Sequence, residues 1–377
     1  MSTAAKIPLI DISATGGDAQ AKVAQELVEA AVEHGFVYIR NTGADIPVEA
    51  VENAFELGKK IFRAPVEEKQ KCIIQENNRG WSSMNYETLD PAHQRVGDFK
   101  EAFNFGEFVD GKAQQPLPES FKPYESQAAA FYDHCYNLAL KLNHLIGIGL
   151  AVTPPTFFYD RHRREFGPSG NILRLLYYPP LSALTTTTTT NTSPQATQED
   201  VRAGAHSDYG SITLLFRLRG QAGLEVDTSG TTTTTTTTNP TSTAWAPVPV
   251  TPPGTESDPA PPILVNIGDL LSYWTNGLLR STVHRVVFPP PGGEGNGIEG
   301  ETGNEPRYSI AFFCHPVGKT TLEVVPSERV KNHKPSGEFT KRGGNPDAER
   351  KAITADEHLQ MRLRASYKQM YDETKKE

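Results

Sequence analysis

The chain has 377 residues, enough to bury a sizeable core in one large domain or two ordinary ones. Its 37 basic and 45 acidic residues give a formal net charge of -8, with no long run of either sign, which argues against a phosphate-tracking surface and against nucleic acid as a partner. Three cysteines, Cys72, Cys135 and Cys314, stand far apart and outside any C-x-x-C spacing, which argues against a disulfide framework and a cysteine zinc site.

The opening "MSTAAKIPLIDIS" has neither the charged start nor the long apolar core of a secretory signal, and "IPLID" within it reads as a short strand. A helix follows, with Asp18 as a cap, Val23, Leu27, Ala30 and Ala31 at helical spacing, and Gly35 as the stop. "FVYIRNTG" reads as a buried strand ending in a turn. A second helix is expected from Pro47 through Val51, Phe55 and Ile61 to the break at Pro65, and a long third from about Glu125. The longest apolar stretch, "LIGIGLAV" at 145–152, is too short to span a bilayer. With the "ETKKE" ending, which carries no lipidation or peroxisomal signal, these features predict a soluble cytoplasmic protein without a membrane partner. No obligate protein partner is inferred.

From about residue 170 the texture changes to short runs punctuated by Gly, Pro and Thr: "NILRLLYYPP", "SITLLFRL", "GLEVD", "ILVNIGDLLSYWT", "STVHRVVFPP" and "RYSIAFFCHP". Such runs without long helices between them predict an antiparallel barrel or sandwich. In "ILVNIGDLLSYWTNG", Ile263 to Ile267 are expected to lead through a Gly-Asp turn into a second strand, as a hairpin. The threonine runs 185–190 and 231–238 and the glycine- and proline-rich segment 289–306 have no apolar face to bury and are expected to be surface insertions. A polar, loop-like tail over 331–350 then precedes a closing helix from Thr354. The expected organisation is a helical N-terminal region over 1–165, a β core over 166–330, and a C-terminal loop and helix over 331–377.

Within the β half, "GAHSDYGSITLL" sets His206 and Asp208 two residues apart at what reads as the start of a strand, so both share a face. That pair can bind a divalent metal from one side, and it equally fits a polar loop entering a strand. His284 in "STVHRVVF" alternates with Thr282 and Val286 on one strand face and is the best candidate to complete a set of two histidines and one carboxylate. Such a set leaves three adjacent metal positions open, the arrangement of non-haem Fe(II) oxygenases. Arg307 and Ser309 share a face in the next strand, and a guanidinium beside a hydroxyl suits capture of a carboxylate. His315 reads as part of a turn before Pro316, and His134 and His144 as packing or surface residues of the long helix.

The ordered set "LRLLYYPP", "HSD", "STVHRVV" and "RYS", with "IPLIDIS", "HGFVYIRNTG" and "NRGW" before it, resembles the iron- and 2-oxoglutarate-dependent oxygenases of the isopenicillin N synthase-like superfamily, over residues 7 to 317. The resemblance implies a double-stranded β-helix, or jelly roll, with flanking helices. It makes His206, Asp208 and His284 the Fe(II) ligands, Arg307 and Ser309 the site for the distal carboxylate of 2-oxoglutarate, and Tyr178 a further contact to that cosubstrate. Tyr209 and Phe313 would stack on a flat substrate, and Phe103, Asn104 and Phe105 in "EAFNFGE" would help wall the pocket.

The implied activity is that of a dioxygenase, using Fe(II), 2-oxoglutarate and O2 to oxidise a small molecule, by default hydroxylating it, with release of succinate and CO2. A nucleobase or a secondary metabolite would fit the aromatic pair. An oxidase like isopenicillin N synthase, which does not consume 2-oxoglutarate, and a regulator sensing iron or 2-oxoglutarate are the rival readings. A zinc hydrolase would share the three ligands but has no use for Arg307 and Ser309.

Overall fold

Two sheets pack face to face in the computed structural model, which describes residues 4–90, 93–94, 96–180, 202–229, 245–288, 305–334 and 352–366. The larger runs in the order β1 (Leu9–Ile10), β2 (Phe36–Ile39), β10 (Ile263–Ile267), β7 (Ile212–Arg217), β12 (Arg307–Cys314), β5 (Ile172–Tyr178), β4 (Glu101–Phe105) and β3 (Gly80–Ser82). The smaller runs β6 (Ala203–His206), β11 (His284–Val286), β8 (Leu224–Asp227) and β9 (Trp245–Pro247). All named pairings are antiparallel except β1 with β2. This is the jelly-roll core expected from the sequence.

The period-two rule divides each strand of the large sheet between two interiors. Val37, Leu173, Leu175, Val265, Ile310 and Phe312 face outward into an apolar layer shared with the helices. Phe36, Tyr38, Leu176, Tyr178, Leu264 and Ala311 face inward, against Leu224, Val226 and Val286 of the small sheet. The inner face of β12 therefore carries Arg307, Ser309, Ala311 and Phe313 in succession. Helices α1 (Gly17–Glu33), α2 (Val48–Phe62) and α4 (Glu125–Gly149) cover the outer face, with a short α3 (Val66–Gln70) after α2 and α5 (Phe157–Arg161) after α4. Leu27 and Val28 of α1 and Leu138 and Leu142 of α4 are buried there, each side chain contributing roughly 2 kcal/mol. The chain leaves α1 through Gly35 at φ 69°, a left-handed turn whose Cβ would strike the Arg280 carbonyl.

The strands read at "IPLID" and "FVYI" are present as β1 and β2, and with β3 and β4 the N-terminal region supplies half of the large sheet. Several expectations are corrected. "ILVNIGDLLSYW" is no hairpin: β10 runs into α6 (Asp269–Trp274), all of whose residues are buried. A short apolar run does not by itself distinguish strand from helix, and here the leading amides of Asp269 and Leu270 are taken by the carbonyls of Asp208 and Gly210. Asp18 lies in the first turn of α1, behind Gly16 at the cap. Residues 331 and 332 belong to α7 (Glu328–Asn332), whose Ser327 hydroxyl accepts from the Val330 amide.

The closing helix is α8 (Ala355–Ser366), preceded by Thr354 in a reciprocal cap with Glu357. The threonine runs, residues 289–304 and residues 335–350 lie outside the described residues. Among the described residues, no helix is long and apolar enough to cross a membrane.

Candidate active site

His206 is the last residue of β6 and not the beginning of a strand as read from sequence, and Asp208 follows in the link to β7. The pairing of β6 with β11 sets His206 directly opposite His284, with ring centroids 4.4 Å apart. Each imidazole donates its Nδ1–H to a backbone carbonyl, His206 to Gly204 at 2.7 Å and His284 to Thr282 at 3.1 Å. That fixes the tautomer and leaves both Nε2 lone pairs available, each 3.8 Å from Asp208 Oδ1. The other carboxylate oxygen, Oδ2, accepts from Thr213 Oγ1 at 2.6 Å and Asn266 Nδ2 at 2.7 Å. Three donor atoms, two nitrogens and one oxygen, thus converge within 4.8 Å of one another.

The protonation states suit a cation. Burial, reinforced by the neighbouring His284, pushes His206 down to about 3, so it is neutral at physiological pH. Burial would raise the Asp208 carboxyl, but the two imidazoles and its two hydrogen-bond donors outweigh that and hold it below the usual carboxylate range. Neutral imidazoles and an ionised carboxylate are what a divalent ion requires.

Two partly open cavities meet at this cluster, of about 610 and 480 Å³ including the space continuous with solvent. The first runs between the sheets and is lined by Tyr178, Thr213, Arg307 and Ser309 with Leu176, Leu215, Leu224 and Val286. Arg307 is 2 % exposed, donates from Nε to the Ala222 carbonyl at 2.8 Å, and stacks its guanidinium 4.8 Å from the Tyr178 ring centroid, which register places directly across from it. A buried cation, apolar walls, and the cluster of His206, Asp208 and His284 in one cavity fit a short dicarboxylic 2-oxo acid.

The second cavity is lined by Tyr209, Phe313, Ile172 and His315, by Leu359 and Leu363 of α8, and by the polar side chains Asn78, Glu87 and Arg174. Between the cavities stands a buried charge cluster that the sequence reading missed. Arg174 Nη2 lies 3.1 Å from both oxygens of Glu87, and Lys100 pairs with Glu87 at 2.8 Å and with Asp98. Burial alone would lower the Lys100 ammonium, but Asp98 and Glu87 more than reverse it and keep it charged. Asp98 also accepts from the Gly204 amide at 3.0 Å, tying the cluster to β6.

The structure brings together His206, Asp208, His284, Tyr178, Arg307, Ser309, Tyr209 and Phe313. It does not bring Phe103 and Phe105 to either cavity: both are fully buried in the outer layer, packed on each other at 4.8 Å, because β4 turns its odd-numbered side chains away from the barrel interior. Asn104 points inward but stops one residue short, donating to the Asn78 carbonyl at 2.9 Å. His315 is a buried residue of the cavity wall and not a simple turn residue, with burial and His162 pushing it down to about 4.

A jelly roll with two histidines and one carboxylate at the meeting of two cavities defines the non-haem iron oxygenase class. Family models agree: "2OG-Fe(II) oxygenase superfamily" matches residues 169–316, and "non-haem dioxygenase in morphine synthesis N-terminal" matches 7–125. A UPF0676 protein of Schizosaccharomyces pombe is 34% identical over 86% of both chains. The 2-oxoglutarate-dependent dioxygenase gloF of Glarea lozoyensis is 28% identical over 82% of this chain and 87% of its own. The thymine 7-hydroxylase of Neurospora crassa, crystallised with alpha-ketoglutarate and thymine, superposes with a TM-score of 0.68 at 27% identity, covering 95% of this chain and 96% of that one. The chain belongs to the 2OG-Fe(II) oxygenase superfamily. It is an Fe(II)- and 2-oxoglutarate-dependent dioxygenase, with O2 as the usual cosubstrate.

Proposed function

We propose that this dioxygenase hydroxylates a small planar heterocycle, of the size and polarity of a nucleobase, held between Tyr209 and Phe313. The observation that carries the reading is the second cavity, in which those two rings and the polar groups of Asn78, Glu87 and Arg174 stand beside His206 and Asp208. Aromatic faces hold a flat ring, and an amide with a buried charged pair in the wall can match its alternating donors and acceptors. Thymine in the structurally similar Neurospora enzyme supports the choice of substrate class.

In this reading His206, Asp208 and His284 hold Fe(II), Arg307 and Ser309 bind the distal carboxylate of 2-oxoglutarate, and Tyr178 backs the guanidinium. Bound iron with its cosubstrate supplies the oxidising power, coupling decarboxylation of 2-oxoglutarate to oxidation of a C–H bond. The chain's own work is placement. Thr213 and Asn266 occupy one oxygen of Asp208 so that the other faces the imidazoles, and the backbone carbonyls of Gly204 and Thr282 aim the ring nitrogens. The inner-facing aliphatic residues keep water from the cosubstrate cavity.

The test is an anaerobic titration of the iron-loaded protein with 2-oxoglutarate, followed by succinate release in air with thymine, uracil and other flat heterocycles. A saturable visible charge-transfer band, and succinate that rises with a heterocycle and matches its oxidised product, are expected. A band with no stimulation across the panel would overturn the substrate class. Turnover independent of 2-oxoglutarate would favour the oxidase reading.

A further inference from the structure

We infer that α8 is a fitted wall of the substrate cavity and that Arg362 is the positioning residue that holds it there, through Asp269, against the same two segments that carry the metal ligands. The part played by Leu359 and Leu363 rests on the reading that the second cavity takes the substrate.

Three independent contacts seat the helix. Arg362 Nη2 lies 2.6 Å from Asp269 Oδ2, and its guanidinium stands 5.2 Å from the centroid of the Tyr209 ring. Leu359 packs so closely on Gly170 that a Cβ there would come within 2.6 Å of its Cδ2, and Gly318 similarly leaves no room beside the Asp356 carboxylate. The amides of Ala355 and Asp356 donate to the carbonyls of Thr320 and Gly318 at 2.9 and 3.0 Å. These glycines are where the helix is admitted to within touching distance of the barrel.

Asp269 makes the seat matter to the chemistry. Its carboxylate is buried and accepts from Ser207 Oγ at 3.0 Å and Ser281 Oγ at 2.6 Å, while its own amide donates to the Asp208 carbonyl at 2.7 Å. Ser207 lies between His206 and Asp208, and Ser281 opens the segment leading to His284. One carboxylate thus joins both ligand-bearing segments, and the cation that balances it comes from α8. Leu359 and Leu363, one helical turn apart and flanking Arg362, are carried to the cavity by that ion pair. Their size then shapes the space beside Tyr209 and Phe313, which makes them specificity-determining residues.

Hydrogen–deuterium exchange on the full chain, loaded with Fe(II) and 2-oxoglutarate under nitrogen, tests the seat. Arg362→Gln is expected to speed exchange of the amides of residues 355–366 by about tenfold or more, Arg362→Lys to restore most of the protection, and residues 172–178 to stay unchanged. The charge-transfer band should persist in Arg362→Gln with a shifted maximum, a signature that a helix serving only as packing would not produce. Gly170→Ala, which displaces Leu359 and spares the ion pair, should leave exchange of α8 within about twofold of wild type while altering the order of preference among heterocycles. Unaltered exchange in Arg362→Gln overturns the seat, and an unaltered band overturns the link to the metal segments. If wild type itself gives no band, the iron and 2-oxoglutarate roles fail, and exchange alone still decides the seat.

Discussion

The two cavities that meet at His206 and Asp208 are built in different ways. The cosubstrate side is made almost wholly of side chains on regular strands, with Arg307, Ser309, Tyr178 and Leu176 fixed by the register of β12 against β5. The other side is gathered from distant pieces: Asn78 before β3, Glu87 from a loop, Arg174 from β5, Tyr209 from the link after β6, and two leucines from α8. A cavity set by register changes only when strands slip, whereas one gathered from loops and a terminal helix can be altered one piece at a time. In the proposed reading the common chemistry belongs to the first and selectivity to the second.

The sharpest way to break that division is at the meeting point. His284→Ala removes one of three donors and is expected to lower turnover by more than about 100-fold, with loss of the charge-transfer band, while the circular dichroism spectrum is retained. On the strand-built side, Arg307→Ala should raise the KM for 2-oxoglutarate by about 10- to 100-fold and leave iron affinity unchanged, read from paired titrations of metal and cosubstrate. Asn266→Ala removes one of the two hydrogen bonds that hold Oδ2 of Asp208 and leaves that from Thr213, and equilibrium dialysis should show iron binding weakened by up to about tenfold.

A separate effect, on stability and not on turnover, concerns acid. His162 is fully buried, donates to the Phe158 carbonyl at 2.7 Å, and is pushed by burial down to about 4. An unfolded histidine takes a proton near pH 6.5, so between that value and about 4 the unfolded chain binds a proton that the folded chain refuses. Stability from this group is complete above pH 6.5 and declines as pH falls toward 4, by roughly 3 kcal/mol in all. Urea titrations at pH 7.5, 6 and 5 should show that slope in wild type and a shallower one in His162→Gln. The smallest effect sharpens the comparison from outside both cavities. Phe103→Leu should cost about 1 kcal/mol of stability and leave every KM as it was, whereas Tyr209→Leu should raise only that of the organic substrate.

The same contrast governs how much could be read from sequence. The jelly roll and the cosubstrate side were legible because their residues recur at period two inside short strands, and because "HSD", "STVHRVV" and "RYS" stand in order. Arg174 was within reach of the same reasoning, since it shares a face with Leu176 and Tyr178, as was Asn266, a lone polar residue in "ILVNI". Nothing local marked Glu87, Lys100, Leu359 or Arg362, whose partners are set by tertiary packing. Phe103 and Phe105 were misplaced because the interior of this fold has two sides, and parity within a strand does not say which is the barrel.

One feature of the large sheet reaches into the synthesis of the chain. Strand β2 lies between β1 and β10, and the Gly35 carbonyl next to it accepts from the Ile267 amide at 3.0 Å. The ribosome makes β2 early and β10 very late, so at common elongation rates β2 waits on the order of ten to forty seconds with an open edge. Chains arrested at residue 250 should leave β2 open to protease, while chains arrested past residue 320 protect it. If that open edge limits folding, a holding chaperone or a lower growth temperature during synthesis should raise the yield of folded enzyme before any iron is bound.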